Sequence, residues 1–360
     1  MVSCGGLGNG GVQAIMMGIV RNLSDQYLFD MLVFTREKRY YDDEFLSYGG
    51  NIIRIPHYEG HNEIFKRLDL LIRDIYIYPR ICKYLKENHY DVIHCNNQSE
   101  SAPLLKAAAR YGVPIRICHS HVIESWSNKL LNLIKKRRKA NINKYATHKI
   151  GCSLEACISL YGGEKISVIN NFYNDAKFKI SSESSPSQHF TLIQVGAFSD
   201  NKNQMFTVKV FYELSKMLTD AQLLLIGFDL DASYHQRVET LVASLDIQDR
   251  VCFLPGDSDI PHYLKRSNCF IMPSKKEGFG IALIEAQAMG LRCIASDTIP
   301  VVTNCGSVTY KNLAESPEAW ATEIMRVYKC KDAIAFVNTD KYKESNVMAI
   351  YRQLYESVSS

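Results

Sequence analysis

Two carboxylates, Glu277 and Glu285, bracket a turn and the start of a helix in Ser274-Lys275-Lys276-Glu277-Gly278-Phe279-Gly280-Ile281-Ala282-Leu283-Ile284-Glu285-Ala286. Glu285 falls between apolar neighbours, where burying an unpaired carboxylate would cost several kcal/mol. It therefore calls for a hydrogen-bonding partner, and ribose hydroxyls are suitable. Gly278, Phe279, Gly280 and Ile281 present backbone amides at a helix start, a setting for a diphosphate or a sugar hydroxyl. The competing reading makes Glu285 a solvated helix residue and Glu277 an ordinary first-turn acid. A second cluster, Gly5-Gly6-Leu7-Gly8-Asn9-Gly10-Gly11, precedes a helical pattern and formally contains the G-x-G-x-x-G fingerprint. The acidic residue expected after the next strand is replaced by Thr35-Arg36-Glu37. A nicotinamide site, an inert loop and a phosphate or sugar contact all remain open there. A third cluster, His119 and His121, ends the apolar run Ile115–Cys118. Such a pair at the end of an apolar strand could be a site or could be structural, whereas His94 reads as a strand-end packing residue. Asp229-Leu230-Asp231 reads as a turn before a helix, and no metal site is expected.

Short apolar runs alternating with helical patterns must position these groups. The runs are Phe29–Phe34, Asn51–Ile55, Asp91–His94, Ile115–Cys118, Lys149–Cys152 and Ser167–Ile169, then Thr191–Val195, Gln222–Ile226, Val251–Leu254, Cys269–Met272 and Arg292–Ala295. Helical patterns cover Gln13–Asn22, Ile64–Asn88, Glu100–Tyr111 and Ser127–Tyr145, then Gln204–Met217, Tyr234–Leu245, Ile260–Ser267 and Gly280–Met289. Strands that are apolar throughout and alternate with helices imply α/β architecture with two doubly wound parallel sheets. The expected division is residues 1–172, a Ser-rich linker 173–188, and 189–342, with a helix over 343–360 that either caps its own domain or crosses back. Only Met1–Cys4 precede the glycine cluster, which is short for a buried central strand, so the true start could lie upstream.

The chain has 360 residues, 46% hydrophobic and 22% charged, with a formal net charge of +4. That composition excludes disorder, and no apolar run reaches the ~18 residues of a membrane span. The start has no signal-peptide pattern. The 11 cysteines are scattered singly without CxxC spacing, which argues against a disulfide framework and for a cytoplasmic location. Charge is unevenly placed. Between Trp126 and Ile150 lie eight Lys or Arg and no acid, including Lys135, Lys136, Arg137, Arg138 and Lys139 beside Leu130, Leu131, Leu133 and Ile134. Such a helix can lie on an anionic membrane surface, or be a solvated basic face with its apolar side on the core. Without an aromatic stacking motif, nucleic acid is not an expected partner.

Glu277 and Glu285, with Gly278-Phe279-Gly280 between them, resemble the E-x7-E element of retaining GT-B glycosyltransferases of family 4, the glycosyl transferases group 1. Val195-Gly196-Ala197-Phe198-Ser199-Asp200-Asn201-Lys202-Asn203 is similar to the family's VGR-x4-KN segment. Gln222–Gly227 and Val251–Gly256 resemble its later strands and nucleotide-facing loop, and Gly10-Gly11-Val12-Gln13 its acceptor-domain glycine loop. Ile117-Cys118-His119-Ser120-His121 resembles the His-bearing strand end of capsule and exopolysaccharide members.

The resemblance implies two facing Rossmann-like domains with a cleft between them. It implies a nucleoside-diphosphate-sugar donor as co-substrate, UDP favoured, and neither cofactor nor metal. Gly10, Gly11, Gly196, Lys202, Asn203, Gly256, Glu277, Gly278, Phe279, Gly280, Ile281 and Glu285 would contact the donor. Glu285 would hold the ribose, Glu277 would face the transferred sugar, and Lys202 would meet the diphosphate. His119 or His121 would sit near the sugar, the alignment sliding by two residues. The acceptor would be a polyprenyl-diphosphate-linked glycan, and the enzyme peripheral at the inner face of the plasma membrane. One departure is Ala197, where the family usually has Arg. A nucleotide-sugar epimerase of the same architecture and a non-catalytic partner of a transferase are the alternatives, with an NAD(P) oxidoreductase more distant.

Overall fold

The computed structural model describes residues 1–3, 5–56, 63–123, 129–180, 189–330 and 337–357, with backbone alone at 63–71 and 129–131. The chain divides into two compact units: Met1–Asn171 with Val347–Ser360, and Phe172–Asn346.

The first unit runs β1 (Val2–Ser3), α1 (Gly11–Leu23), β2 (Met31–Val33), α2 (Asp42–Ser47), β3 (Ile52–Arg54), α3 (Glu63–Glu87), β4 (Val92–Cys95), α4 (Ala102–Arg110), β5 (Ile115–Ser120), α5 (Lys129–Tyr145), β6 (His148–Gly151), α6 (Leu154–Tyr161) and β7 (Ser167–Val168). Its strands form one parallel sheet in the order β3-β2-β1-β4-β5-β6-β7. The second unit runs β8 (Thr191–Val195), α7 (Gln204–Met217), β9 (Gln222–Gly227), α8 (Ala232–Ser244), β10 (Val251–Pro255), α9 (Ile260–Lys265), β11 (Cys269–Met272), α10 (Ile281–Ala288), β12 (Arg292–Ser296), β13 (Val308–Lys311) and α11 (Pro317–Lys329). A last helix, α12 (Glu344–Glu356), follows. The second sheet is also parallel, ordered β10-β9-β8-β11-β12-β13.

Both sheets follow from the apolar runs, because a parallel strand covered on two faces buries every side chain. All four residues of β11 are buried. Each unit has its own core, around Ile93, Cys118, Leu104 and Leu160 in the first and Leu192, Leu225, Ile271 and Trp320 in the second. Strand order reverses between β1 and β4 and between β8 and β11, so the loops leaving those strands carry ligands in this architecture.

The structure adds β13 and α11, which the apolar-run reading passes over, as it does α2 and α6. β13 is an edge strand of partly exposed residues. α11 was announced by a cap: Ser316 accepts from Ala319 N–H ahead of Pro317 at the first helical position. Of the expected 173–188 linker, the described residues 173–180 group with the second unit. Tyr173 N–H donates to Tyr342 C=O at 2.9 Å, and Phe178 is buried in the second unit. The Ser-rich 181–188 lie outside the described residues. From Val347 onward, α12 belongs to the first unit. Among the described residues, no helix is long and apolar enough to cross a membrane.

Candidate functional site

In the second unit, the loops after β8 and β11 are stitched to each other. Lys275 N–H donates to Asn201 C=O at 2.8 Å, Asn201 Nδ2 to Lys276 C=O at 2.8 Å, and Asn203 Nδ2 to Pro273 C=O at 3.2 Å. Gln194 Nε2 holds Lys202 C=O at 2.7 Å, and Gln204 Nε2 holds the carbonyls of Gly196 and Ala197. Asn203 adopts φ 59° at the start of α7, a left-handed conformation that Asn tolerates. On this frame Lys202 Nζ donates to Glu277 Oε1 at 2.5 Å, joining two residues 75 apart in the chain. Gly280 (φ +101°) opens α10, and the Phe279 ring is buried edge-on to Tyr342.

One turn along α10, Glu285 is partly exposed but heavily desolvated. Burial pushes its carboxyl up to about 7, with Lys177 opposing. Its carboxylate has no hydrogen-bond partner among the described residues. The expected partner is therefore not supplied by any described residue. Nearby turns fit tightly: a Cβ at Gly227 would meet Gly196 C=O at 2.1 Å, and one at Gly256 would meet Phe228 N at 3.0 Å. Asp231 caps α8 and Asp229 pairs with His235, so both are accounted for as turn residues.

In the first unit, His119 and His121 share one face of β5 and its continuation. His94, near the end of β4, is buried and packs against them, and it also hydrogen-bonds within the cluster. His94 Nε2 lies 3.2 Å from His119 Nδ1, and His94 Nδ1 lies 2.8 Å from the Tyr355 hydroxyl on α12. The His119 and His121 rings meet at 3.9 Å between centroids, and His121 Nε2 donates to Asn96 Oδ1 at 2.8 Å. His119 is 0% exposed and His121 4% exposed, the latter lying beyond the last strand residue. Desolvation pushes all three imidazoles down, His121 to about 4 against a hydrogen-bonding contribution from Asn171. His119 Nε2 has no partner. The register explains this, since β4 pairs His94 with Ile117 and puts both on the His119 face.

The glycine cluster divides. Gly6 is required by the fold, with φ +74° and Thr35 Cγ2 2.7 Å from where a Cβ would stand, whereas Gly5 and Gly8 face open space. Gly10 caps α1 and Gly11 begins it. The basic run also divides. Arg138 is buried and paired with Asp74 of α3 at 2.6 Å, and Lys139 donates to Ser159 C=O, so neither is free surface charge. Lys135 is half-buried, whereas Lys136 and Arg137 are exposed, as is Leu133 at 65%. Trp126 and the side chains of Leu130 and Leu131 lie outside the described residues.

Residues 175–341 match the family described as "Glycosyl transferases group 1". The chain is 23% identical to the capsular polysaccharide biosynthesis glycosyltransferase CapH of Staphylococcus aureus, over 98% of this chain and 96% of that protein. It is 30% identical, over 63% of each chain, to the UDP-Gal:alpha-D-GlcNAc-diphosphoundecaprenol alpha-1,3-galactosyltransferase of Escherichia coli. Its fold is similar to that of Anabaena HepE, solved in complex with UDP and glucose. The TM-score is 0.75 at 16% identity, covering 99% of this chain and 97% of that one.

Proposed function

We propose, for a chain that is a glycosyltransferase of group 1 with the GT-B fold, that it moves a sugar with retention from a nucleoside-diphosphate sugar to a lipid-linked glycan. The observation that carries the donor half is the pairing of Glu277 with Lys202 across the strand-order reversal, with Glu285 one turn into the following helix and without a hydrogen-bond partner among the described residues. A buried carboxylate without a donor is costly, and ribose hydroxyls would satisfy it. Lys202 and the amides at the start of α10 suit a diphosphate, whose charge grows as it leaves. Glu277, held by Lys202, is suited to orienting the sugar. His121, at the carboxyl end of β5, is the better placed of the two histidines to reach a ligand.

The bond from the anomeric carbon to the diphosphate oxygen breaks, and its electron pair leaves with the nucleotide. The acceptor hydroxyl oxygen bonds to that carbon on the same face, and its proton passes to the departing diphosphate. The E. coli relative, whose name includes UDP-Gal and a diphosphoundecaprenol, supports a UDP-sugar and a polyprenyl-diphosphate-linked glycan. CapH supports a role in surface polysaccharide synthesis. The exposed Lys136 and Arg137 would favour an anionic membrane surface carrying that acceptor.

The test has two parts. A thermal-shift screen over UDP- and GDP-sugars should find one that stabilises by roughly 2.7 kcal/mol at ~100 times its dissociation constant. Glu285→Ala and Lys202→Ala should then abolish both that shift and sugar transfer. Wild-type transfer in both variants would refute the site.

A further inference from the structure

We infer that Tyr355 and His94 are positioning residues for the histidine site, fixing the tautomer and ring orientation of His119, the wall against which His121 packs. The inference rests on the reading that His121 faces the transferred sugar. Three contacts run in series: Tyr355 hydroxyl to His94 Nδ1 at 2.8 Å, His94 Nε2 to His119 Nδ1 at 3.2 Å, and the His119 ring on His121 at 3.9 Å. The series is enclosed. His94 and His119 are fully buried, and Tyr351, one turn before Tyr355, packs beside both imidazoles at 6.2 and 6.3 Å. Tyr27 and Phe29 hold the Tyr355 ring from its other side at 5.5 and 6.2 Å.

Hydrogen counting ties the three groups together. The Tyr355 hydroxyl has no second partner among the described residues. If Tyr355 donates, His94 Nδ1 accepts, His94 Nε2–H donates to His119 Nδ1, and His119 carries its proton on Nε2. If His119 Nδ1–H donates to His94 Nε2, then His94 Nδ1–H donates to the Tyr355 oxygen and His119 Nε2 is bare. Each order leaves one donor and one acceptor unmet, so both hydrogen bonds survive only when the three protons are placed together. Neutral imidazoles are also what this enclosure enforces, because burial disfavours the charged form of each. The hydroxyl on α12 is thus coupled, through His94, to the nitrogen of His119 that carries the proton.

Tyr355→Phe removes one oxygen and keeps the ring. In the full-length, 15N-labelled protein, long-range 15N–1H spectra should show His119 in a single neutral tautomer, and a mixture of tautomers in the variant. The activity probe is hydrolysis of whichever of UDP-glucose, UDP-galactose, UDP-N-acetylglucosamine or GDP-mannose the wild type cleaves fastest. The variant should lose roughly tenfold in kcat, the scale of one hydrogen bond, with donor KM within about twofold. An unchanged His119 tautomer would overturn the inference, as would a lowered Tm with wild-type kcat. Full activity in His121→Ala would strike the underlying site reading, while the tautomer measurement would still decide the role of Tyr355.

Discussion

Glu285 keeps a desolvated carboxyl that no described residue hydrogen-bonds. Its folded pKa of about 7 stands above the ordinary carboxyl value of 4.5, so the folded state holds a proton that the unfolded chain releases first. Stability from this group is therefore full below about 4.5 and is lost as pH rises through about 7. The shift corresponds to roughly 3 kcal/mol as an upper bound, reduced by the partial exposure of the side chain. Glu285→Gln should raise the melting temperature at pH 8, change it little at pH 4.5, and abolish transfer. Equal melting temperatures at pH 8 would show that the carboxylate is already satisfied. Ala197 belongs to the same scale. Where the resemblance expects a second diphosphate cation, this loop leaves Lys202, itself neutralised by Glu277 in the free enzyme. In the proposed reaction, donor binding would draw Lys202 from one anion to another and leave Glu277 available to the sugar.

At the scale of elements, α5 shows how a charge run read from sequence can mislead. Five consecutive cations wrap around a helix, so they cannot all face one way. Arg138 and Lys139 turn inward, to Asp74 and to Ser159 C=O, while Lys136 and Arg137 turn outward near the exposed Leu133. Neutralising Lys136 and Arg137 with Gln should weaken binding to phosphatidylglycerol vesicles by about 1 kcal/mol per charge, and added salt should do the same to the wild type. Arg138→Gln should instead lower the melting temperature. Vesicle binding indifferent to the first pair would remove α5 from any membrane contact.

The same inward-or-outward question limits what was legible elsewhere. The two parallel sheets were readable because buried strands are apolar on both faces. The segment holding Glu277 and Glu285 was readable because strand, glycine turn and helix are local. The Lys202–Glu277 pair spans 75 residues and the Tyr355–His94 pair 261. No local pattern announces such contacts. They follow only once the strand order is known.

For the whole molecule, the two units should respond to acid with opposite signs. The first unit, Met1–Asn171 with Val347–Ser360, buries His94, His119 and His121, all with depressed pKa values. The unfolded chain binds protons on these groups near 6.5, whereas folded His121 resists down to about 4. Stability from them is therefore present above 6.5 and is lost as pH falls toward 4. The second unit contains Glu285, whose stability contribution runs the other way, gained as pH falls below about 7. Each unit has a separate hydrophobic core, so calorimetry can register two transitions. Lowering pH from 8 to 5 should move one transition down and the other up. Each can be identified by variant: Glu285→Gln flattens the rising one, and a neutral replacement of His94 flattens the falling one. Two transitions moving together would mean that neither buried cluster governs the pH response of its unit. The depressed histidines would then have to be matched by equal shifts in the unfolded chain, where no burial exists to cause them.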